Sequence, residues 1–217
     1  MAEISGGQVL YLLRHGQTIY NQLNIVQGGG IDSSLNENGI GQARAFYEFY
    51  KHINWAGGYA SNLKRTYETI HLFKQQEVSI AKLPGLDELG WGEIEGLENT
   101  IEVQRKFQRV TEAWSSGNFD ASLPGGESAA QVADRVTQAI YGILQRHTAG
   151  ECVLICTHGR TLRILLSVLL GYGLEKMHLF SHENTGLNVI LHQGNFRFAA
   201  LKLNRTEHLA KLLSVEK

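Results

Sequence analysis

Proline and cysteine are both scarce in this chain, two of each in 217 residues, against 24 glycines. So few prolines exclude Pro-rich linkers between modules, and the glycines point instead to tight turns and close backbone approaches. Both cysteines, Cys152 and Cys156, fall in one apolar run. On an extended strand their Cα atoms stand about 13 Å apart, and a disulfide needs less than about 7 Å, so they cannot pair. Reduced thiols point to a cytoplasmic protein. Long apolar runs are missing as well. The longest, Ile164 to Leu170, falls far short of the ~20 residues that span a bilayer. The first residues, Met1 to Gly7, carry no basic segment ahead of an apolar one, so no secretion signal is expected. Excess charge of one sign is also absent: 20 basic against 21 acidic residues leave a net charge of −1. That argues against nucleic acid or an anionic membrane as a general partner, while leaving room for a small buried cationic pocket.

With 43% hydrophobic and 19% charged residues the composition is that of a globular chain. At this length a core buries roughly 70% of the unfolded surface without a disulfide or metal staple, and one domain over residues 1–217 is expected. Gln8–Leu13 and Glu151–Cys156 are continuous apolar runs, read as strands buried on both faces of a parallel sheet. Gly57–Ala60 reads as a short strand. Helices are expected near 37–53 (N-capped by Asn36), 62–75, 99–115, from Ser128 to about 147, and 160–171. The Ser128 start rests on a capping-box pattern with Gln131. Residues 17–35 and 76–98 read as irregular. Gly186–His192 and Phe196–Leu203 read as a C-terminal hairpin turning at Gln193-Gly-Asn195. Strands alternating with helices predict an α/β/α sandwich with a mostly parallel central sheet and an antiparallel edge near the C-terminus.

Ligands of such sheets bind beyond the carboxyl ends of the strands. Both buried strands end in a His-Gly pair, Arg14-His15-Gly16 and Thr157-His158-Gly159, at one rim of the sheet. A lone histidine is usually a surface or satisfied residue; two at equivalent strand ends are not easily read that way. Glycine after each lets the backbone approach a ligand, and Arg14 beside the first suggests an anion, since guanidinium matches phosphate or carboxylate with a fixed fork of donors. Arg65 reads either as a second anion ligand or as a solvated helix arginine, with Lys64 and Glu68 spending the surface charge of that helix. The segment from Gly85 to Gly96 holds Asp87, Glu88, Glu93 and Glu95. It reads either as a solvated acidic turn or as the source of a general acid, if one carboxyl sits near Trp91 and away from water. Spacing does not choose among the four. Glu127 and Ser128 read as a helix start or as part of a pocket rim, and the segment from His182 to Thr185 as a possible pocket wall. Trp91, Trp114 and Phe119 read as an apolar mouth or as core. His52, His71 and His147 fall on or beside helices, where a solvated role is expected. The nine histidines show no His-Glu-x-x-His spacing and there is no Cys-x-x-Cys, so no metal is expected. No Gly-x-Gly-x-x-Gly or Walker-type loop follows the first strand.

These residues together resemble the histidine phosphatase superfamily, in its phosphoglycerate-mutase-like branch. Arg14-His15-Gly16-Gln17-Thr18 follows the first strand, with Asn21 at the position of a phosphate-contacting asparagine. Gln27-Gly28, Asp32 and Leu35 match the next loop, and Ser61-x-Leu-x-Arg65 the second arginine motif. Glu88, in Glu-x-x-x-Gly-x-x-Glu-Gly, matches the family's acid, and Thr157-His158-Gly159 its second histidine. Pro124-Gly-Gly-Glu-Ser128 and Asn204-x-x-x-His208-Leu209 are similar to segments of phosphatase members. The matches run in order from about residue 9 to 209. The resemblance implies a phosphomonoester hydrolase with His15 as nucleophile, Glu88 as general acid and base, and Arg14, Arg65 and His158 around the phosphoryl group. It implies Thr18, Asn21, Gln27, Gly28 and Gly159 as further substrate contacts, no metal or cofactor, and a small phosphorylated metabolite as partner.

Two departures from the family pattern matter. Ile25 stands where members often carry arginine, so no substrate transfers from members that use it. After Gly96 the chain reads Leu-Glu-Asn-Thr-Ile-Glu, without the basic stretch that holds the carboxylate of phosphoglycerate in the mutases. That departure favours a phosphatase over a cofactor-dependent mutase. A catalytically silent phospho-ligand binder, the other alternative, would have lost His15, Glu88 or an arginine, and none is lost.

Overall fold

The computed structural model describes residues 6–210 and 212. Residues 1–5 of the N-terminal reading and the far end of the 1–217 assignment lie outside the described residues. A six-stranded sheet forms the centre, in the order β3-β2-β4-β1-β5-β6. Its strands are β1 (Gln8–Arg14), β2 (Trp55–Ala60), β3 (Ile80–Lys82), β4 (Cys152–Thr157), β5 (Leu187–His192) and β6 (Phe198–Arg205). The first four pair parallel; β5 and β6 run antiparallel at the β1 side, as the C-terminal hairpin predicts.

The two central strands are apolar without alternation because helices cover both faces. Besides the single turn α1 (Ile19–Gln22), the helices are α2 (Glu37–Tyr50), α3 (Lys64–Ile70), α4 (Ile101–Ser115), α5 (Ala129–Leu144) and α6 (Gly159–Leu169). Val9, Leu13, Leu154 and Cys156 pack on one face with Phe46 and Tyr50 of α2 and Ile70 of α3. Leu10, Leu12, Val153 and Ile155 pack on the other with α5 and α6. The three-layer expectation holds. A third cluster stands off the sheet: Val103, Val110 and Trp114 of α4 close over Leu89, Trp91 and Ile94.

Helix starts follow their caps. The Asn36 side chain accepts from the Gly39 amide at 2.8 Å, and Ser128 with Gln131 closes the expected capping box. The differences from the sequence reading are short elements. The segment 17–35 holds α1, one turn fixed by a Thr18/Asn21 capping box. β3 is three residues long and pairs Gly58 with Ile80. Neither is long enough to display a period. The helix expected over 62–75 is α3 followed by a 3₁₀ segment, His71–Gln76. Lys64 lies 3.7 Å from Asp32 rather than pairing with Glu68, whose carboxylate accepts from the Leu35 amide at 2.8 Å. Of the histidines expected in solvent, His147 is instead part-buried, between Tyr59 at 2.9 Å and Glu151 at 3.0 Å.

The start of α2 presses on the loop that leaves β1. A Cβ added at Gly39 would fall 2.1 Å from the Gln17 carbonyl oxygen and 2.8 Å from its amide nitrogen. Gly39→Ala should therefore destabilise the protein by about 1–3 kcal/mol. Gly142→Ala, where an added Cβ meets nothing within 4 Å, should stabilise it by roughly 0.5–1 kcal/mol through helix propensity. Urea denaturation of the two variants reads the difference in sign.

Candidate active site

Leu13 pairs with Cys156 and Arg14 with Thr157, so both chains leave the sheet at the same level. His15 and His158 emerge side by side with ring centroids 5.1 Å apart. The His15 ring is buried, and its Nδ1 lies 2.7 Å from the Gly16 carbonyl oxygen. A carbonyl only accepts, so Nδ1 carries the proton and Nε2 is left with its lone pair. Burial, then the charges of Arg65 and Arg14, push the His15 pKa well below the usual histidine value. The ring is neutral.

Arg65 is buried outright rather than solvated. Its Nε donates to His158 Nδ1 at 3.2 Å, and its two terminal nitrogens donate to the carbonyls of Ile31 at 2.5 Å and Gly28 at 3.3 Å. One N–H on each terminal nitrogen remains free. Burial lowers its pKa to about 10, with nearby carboxylates, Glu88 first, opposing the shift; it stays a cation at neutral pH. Because His158 Nδ1 accepts, its Nε2 donates to Ser61 Oγ at 2.8 Å. Both nitrogens of His158 are therefore engaged. Arg14 donates to the His182 carbonyl at 2.7 Å and leaves its buried Nε without a partner. A Cβ at Gly159 would lie 3.3 Å from that Nε, which is the close approach that glycine permits there.

The structure separates the four carboxylates of the 85–96 segment. Glu88 is buried. Its Oε1 accepts from Leu89 N, Thr161 N and Thr161 Oγ1, each at 3.0 Å, and its Oε2 from Arg160 N at 3.2 Å. Helix α6 has no side-chain cap from His158 at its N-terminus, so Glu88 supplies the acceptor that the exposed amides need. Asp87 accepts from Asn62 N at 2.7 Å. Glu93 pairs with Lys106 on the surface at 3.2 Å. Glu95 accepts from Gly30 N at 2.9 Å and Trp91 N at 2.7 Å, holding the Gly28–Gly30 loop.

A second ion pair fixes the Glu88 segment from behind. Arg135 binds both oxygens of Glu127, at 2.7 and 2.8 Å, and donates to the carbonyls of Gly85, Asp87 and Glu88. Glu127 also accepts from Gly90 N at 2.9 Å. Burial works against ionisation of Glu127, but the bonds from Arg135 and Gly90 outweigh it and hold its pKa below the usual carboxylate value. Glu127 is thus tied into this clamp and Ser128 is a helix cap. Sequence reasoning passed over Arg135, which the i, i+8 spacing from Glu127 makes visible only once the helix start is placed.

Of the remaining candidates, Thr18 is buried, capping α1 and donating to Gln27 Oε1 at 3.0 Å. Gln27 in turn reaches Ser33. Asn21, Gln27 and Arg14 line a cavity of about 660 Å³ together with Asn184, Trp91 and Phe107. Asn184 donates to the His15 carbonyl at 3.0 Å and to Asn21 Oδ1 at 3.2 Å, so of the segment from His182 to Thr185 it is Asn184 that lines the cavity. Trp91 belongs to both mouth and core, and Trp114 is core. Among the described residues no three metal-ligating side chains cluster and no helix is long and apolar enough to cross a membrane.

The family model of the histidine phosphatase superfamily (branch 1) matches residues 10–206. Phosphoserine phosphatase 1 of Hydrogenobacter thermophilus is 30% identical over 93% of this chain and 94% of its own length. A 2,3-bisphosphoglycerate-dependent phosphoglycerate mutase of Methylobacterium radiotolerans is 33% identical over 76% of this chain and 80% of its own. The solved structure of Bacillus stearothermophilus YhfR superposes with a TM-score of 0.81 at 25% identity, covering 93% of this chain and 99% of that one.

Four buried histidines share one electrostatic condition. Burial drives the pKa of His15 and His158 well down, that of His182 to about 3 and that of His208 to about 4. An unfolded chain protonates its histidines near 6.5, whereas the folded one does not. Stability is therefore complete above that pH and falls as pH drops through 6.5, by about 1.4 kcal/mol per histidine per pH unit. Four together amount to about 5.5 kcal/mol per unit. Urea denaturation at pH 7, 6 and 5 should show this loss, and His208→Gln should reduce the slope by about a quarter. A flat profile between pH 7 and 5 would mean that these rings take up protons in the folded state.

Proposed function

The chain belongs to the histidine phosphatase superfamily, and from that premise we propose that it hydrolyses phosphomonoesters through a phosphohistidine on His15, the whole chain acting as one catalytic domain without metal or cofactor. The observation that carries the reading is the fixed tautomer of His15: Nδ1 donates to Gly16 and a neutral, lone-pair-bearing Nε2 stands among guanidinium groups. A phosphatase relative over nearly the full chain supports it.

Uncatalysed phosphoryl transfer is slow, and its loose transition state leaves the protein mainly positioning and charge neutralisation to supply. Nε2 of His15 attacks phosphorus in line as the ester P–O bond breaks. Arg14 and the free N–H groups of Arg65 face the non-bridging oxygens, with Asn21 and the Gly159 backbone beside them. Two guanidinium charges match a phosphate dianion. His158 acts by holding Arg65 through Nε; it reaches an oxygen only by exchanging one of its present bonds. Glu88 Oε2, the carboxyl oxygen with a single hydrogen bond, carries the proton to the leaving alkoxide. The same oxygen then takes a proton from the water that attacks phosphohistidine, releasing phosphate and restoring the neutral imidazole. Thr18, Gln27 and Gly28 serve the site by holding α1 and the loop around Arg65. The product chemistry needs only water and a small phosphorylated metabolite.

A second reading, transfer of the phosphoryl group back to phosphoglycerate, draws support from the mutases among the relatives. The two part on the fate of the label: release to water in a phosphatase, return to the acid in a mutase.

His15→Ala should abolish turnover, and rapid quench of the unaltered chain with labelled substrate should trap base-stable, acid-labile label. Label on serine or cysteine would refute the histidine mechanism. Glu88→Gln should slow phosphorylation by alkyl phosphates at least ~10²-fold and by p-nitrophenyl phosphate far less, because nitrophenolate leaves without a proton. Equal slowing in single-turnover kinetics would remove Glu88 from the acid role. Arg65→Lys should lose ~10²-fold or more in kcat/KM, since an ammonium does not reproduce the buried fork.

A further inference from the structure

The segment Asn204-x-x-x-His208-Leu209 has no part in the site as described, and neither Asn204 nor His208 lines the cavity. Both side chains reach instead for one short stretch of chain. Asn204 Oδ1 accepts from the Glu183 amide at 2.9 Å, and His208 Nε2 lies 3.0 Å from Thr185 Oγ1. That stretch, from His182 to Gly186, is the bed on which β1 ends. The Thr185 amide donates to the carbonyls of Arg14 at 3.1 Å and His15 at 3.3 Å, and the Arg14 amide donates to the Gly186 carbonyl at 3.2 Å. Asn184 holds the His15 carbonyl as well, and the His182 carbonyl accepts from the Arg14 guanidinium at 2.7 Å. The nucleophile and the arginine before it are thus fixed from outside β1, by this turn.

The turn keeps a conformation that its own residues disfavour. Thr185 sits at φ 55°, a left-handed region that a β-branched residue rarely enters and keeps only where its surroundings over-determine it. Its hydroxyl donates to the Asn184 carbonyl at 2.7 Å. A hydroxyl has one proton, so Oγ1 meets His208 only as an acceptor. His208 Nε2 therefore carries the ring proton, and Nδ1, left with the lone pair, is buried without a partner among the described residues. Burial lowers the pKa of the ring to about 4, against the charge of Glu207, so at neutral pH Nε2–H is its single donor. The ring stands edge-on to Phe46 of α2, with centroids 5.2 Å apart, and 5.9 Å from Tyr50. Phe46 and Tyr50 belong to the core on that face of the sheet, so the donor is anchored in the core rather than in the turn. A phenylalanine would serve that packing equally well. What histidine adds is one N–H, aimed at the residue of the turn that holds a positive φ.

We infer that His208 is a positioning residue of the active site: its Nε2–H clamps Thr185, and through the Thr185 amide and the Asn184 side chain it sets where the backbone of Arg14 and His15 stands. This rests on the phosphohistidine reading of His15. Asn204 grips the same turn two residues earlier, at Glu183, and its own amide donates to Asn188 Oδ1 at 2.9 Å. The C-terminal segment thus holds the turn at two points without touching the reacting groups.

Packing and hydrogen bonding separate at this position. His208→Phe keeps the edge-on contact with Phe46 and removes the donor. His208→Gln gives up the ring and returns an amide N–H toward Thr185 Oγ1. His208→Phe should keep Tm near that of the unaltered chain yet lower kcat for p-nitrophenyl phosphate at least about tenfold, because small misplacements of reacting groups are costly. His208→Gln should lower Tm and recover most of that kcat. Thr185→Val removes the acceptor at unchanged shape and should match the loss in His208→Phe; the double variant should be no slower than either single one. Should His208→Phe fail to fold, Thr185→Val against His208→Gln carries the same comparison. Hydrogen exchange on the full chain reads the clamp without turnover. The Thr185 amide should exchange at least about tenfold faster in His208→Phe than in His208→Gln, although the second is the less stable protein. A His208→Phe variant that keeps kcat, a His208→Gln variant that loses as much, or Thr185 exchange that simply follows Tm would overturn the assignment. If the unaltered chain hydrolyses no phosphomonoester, the phosphatase reading fails, and the order of Thr185 exchange still decides the clamp.

Discussion

Parallel pairing of β1 with β4 sets Arg14 opposite Thr157, and His15 and His158 follow one step beyond. Side chains alternate along a strand, so a slip of one residue would turn Leu10 and Leu12 from the α5/α6 face to the α2/α3 face, against both cores. Register is therefore held by the burial of eight apolar side chains of β1 and β4 on two faces, and the histidine pair inherits that rigidity. The other parts of the site are hung from this pair. Arg65 reaches it through His158, Asn184 through the His15 carbonyl, and Glu88 through the amides that follow Gly159.

A site placed this deeply works on uncompensated cation charge. Burial and guanidinium neighbours act in the same direction on His15, so the ring stays neutral without any base to remove a proton from it. The arginines themselves are barely affected in function by their lowered pKa values, because a guanidinium shifted to about 10 is still ionised at neutral pH. An ammonium in the same surroundings would be far closer to neutral. Arginine at these positions is thus a consequence of the burial as much as of the fork geometry.

The strand-end histidines, the arginine beside the first and the capping box at Ser128 were legible in the sequence because each depends on local order alone. So was the sandwich, since apolar runs without alternation admit few other sheets. Choosing Glu88 from Asp87, Glu93 and Glu95 by spacing was not possible: what distinguishes it is burial against the N-terminus of a helix some seventy residues later in the chain. Family resemblance supplied that residue; residue pattern did not. Arg160 was missed for a related reason. Within Gly159-Arg160-Thr161-Leu162-Arg163 it reads as part of the polar face of an amphipathic helix, and only the α4 cluster, with Trp91 and Phe107 against its guanidinium, turns it inward. The single turn α1 and the three-residue β3 are invisible to periodicity because neither completes a period.

The same groups explain why the site is a weak point of the fold. Arg14 Nε and His182 Nε2 are buried without partners, and an unsatisfied buried donor costs about 1–3 kcal/mol. Nothing in the core needs them there. The compensation lies in the neighbouring clusters: Arg135 spends five donor contacts on Glu127 and the backbone from Gly85 to Glu88, which fixes the Glu88 segment. Arg14 lines the cavity and its Nε has no protein partner, so an anion there meets a donor already oriented, and little reorganisation opposes its binding. On the proposed reading, stability withheld at such a donor is returned to an anion that binds there, and the depth of the histidine pair, fixed by strand register, is what makes that exchange possible.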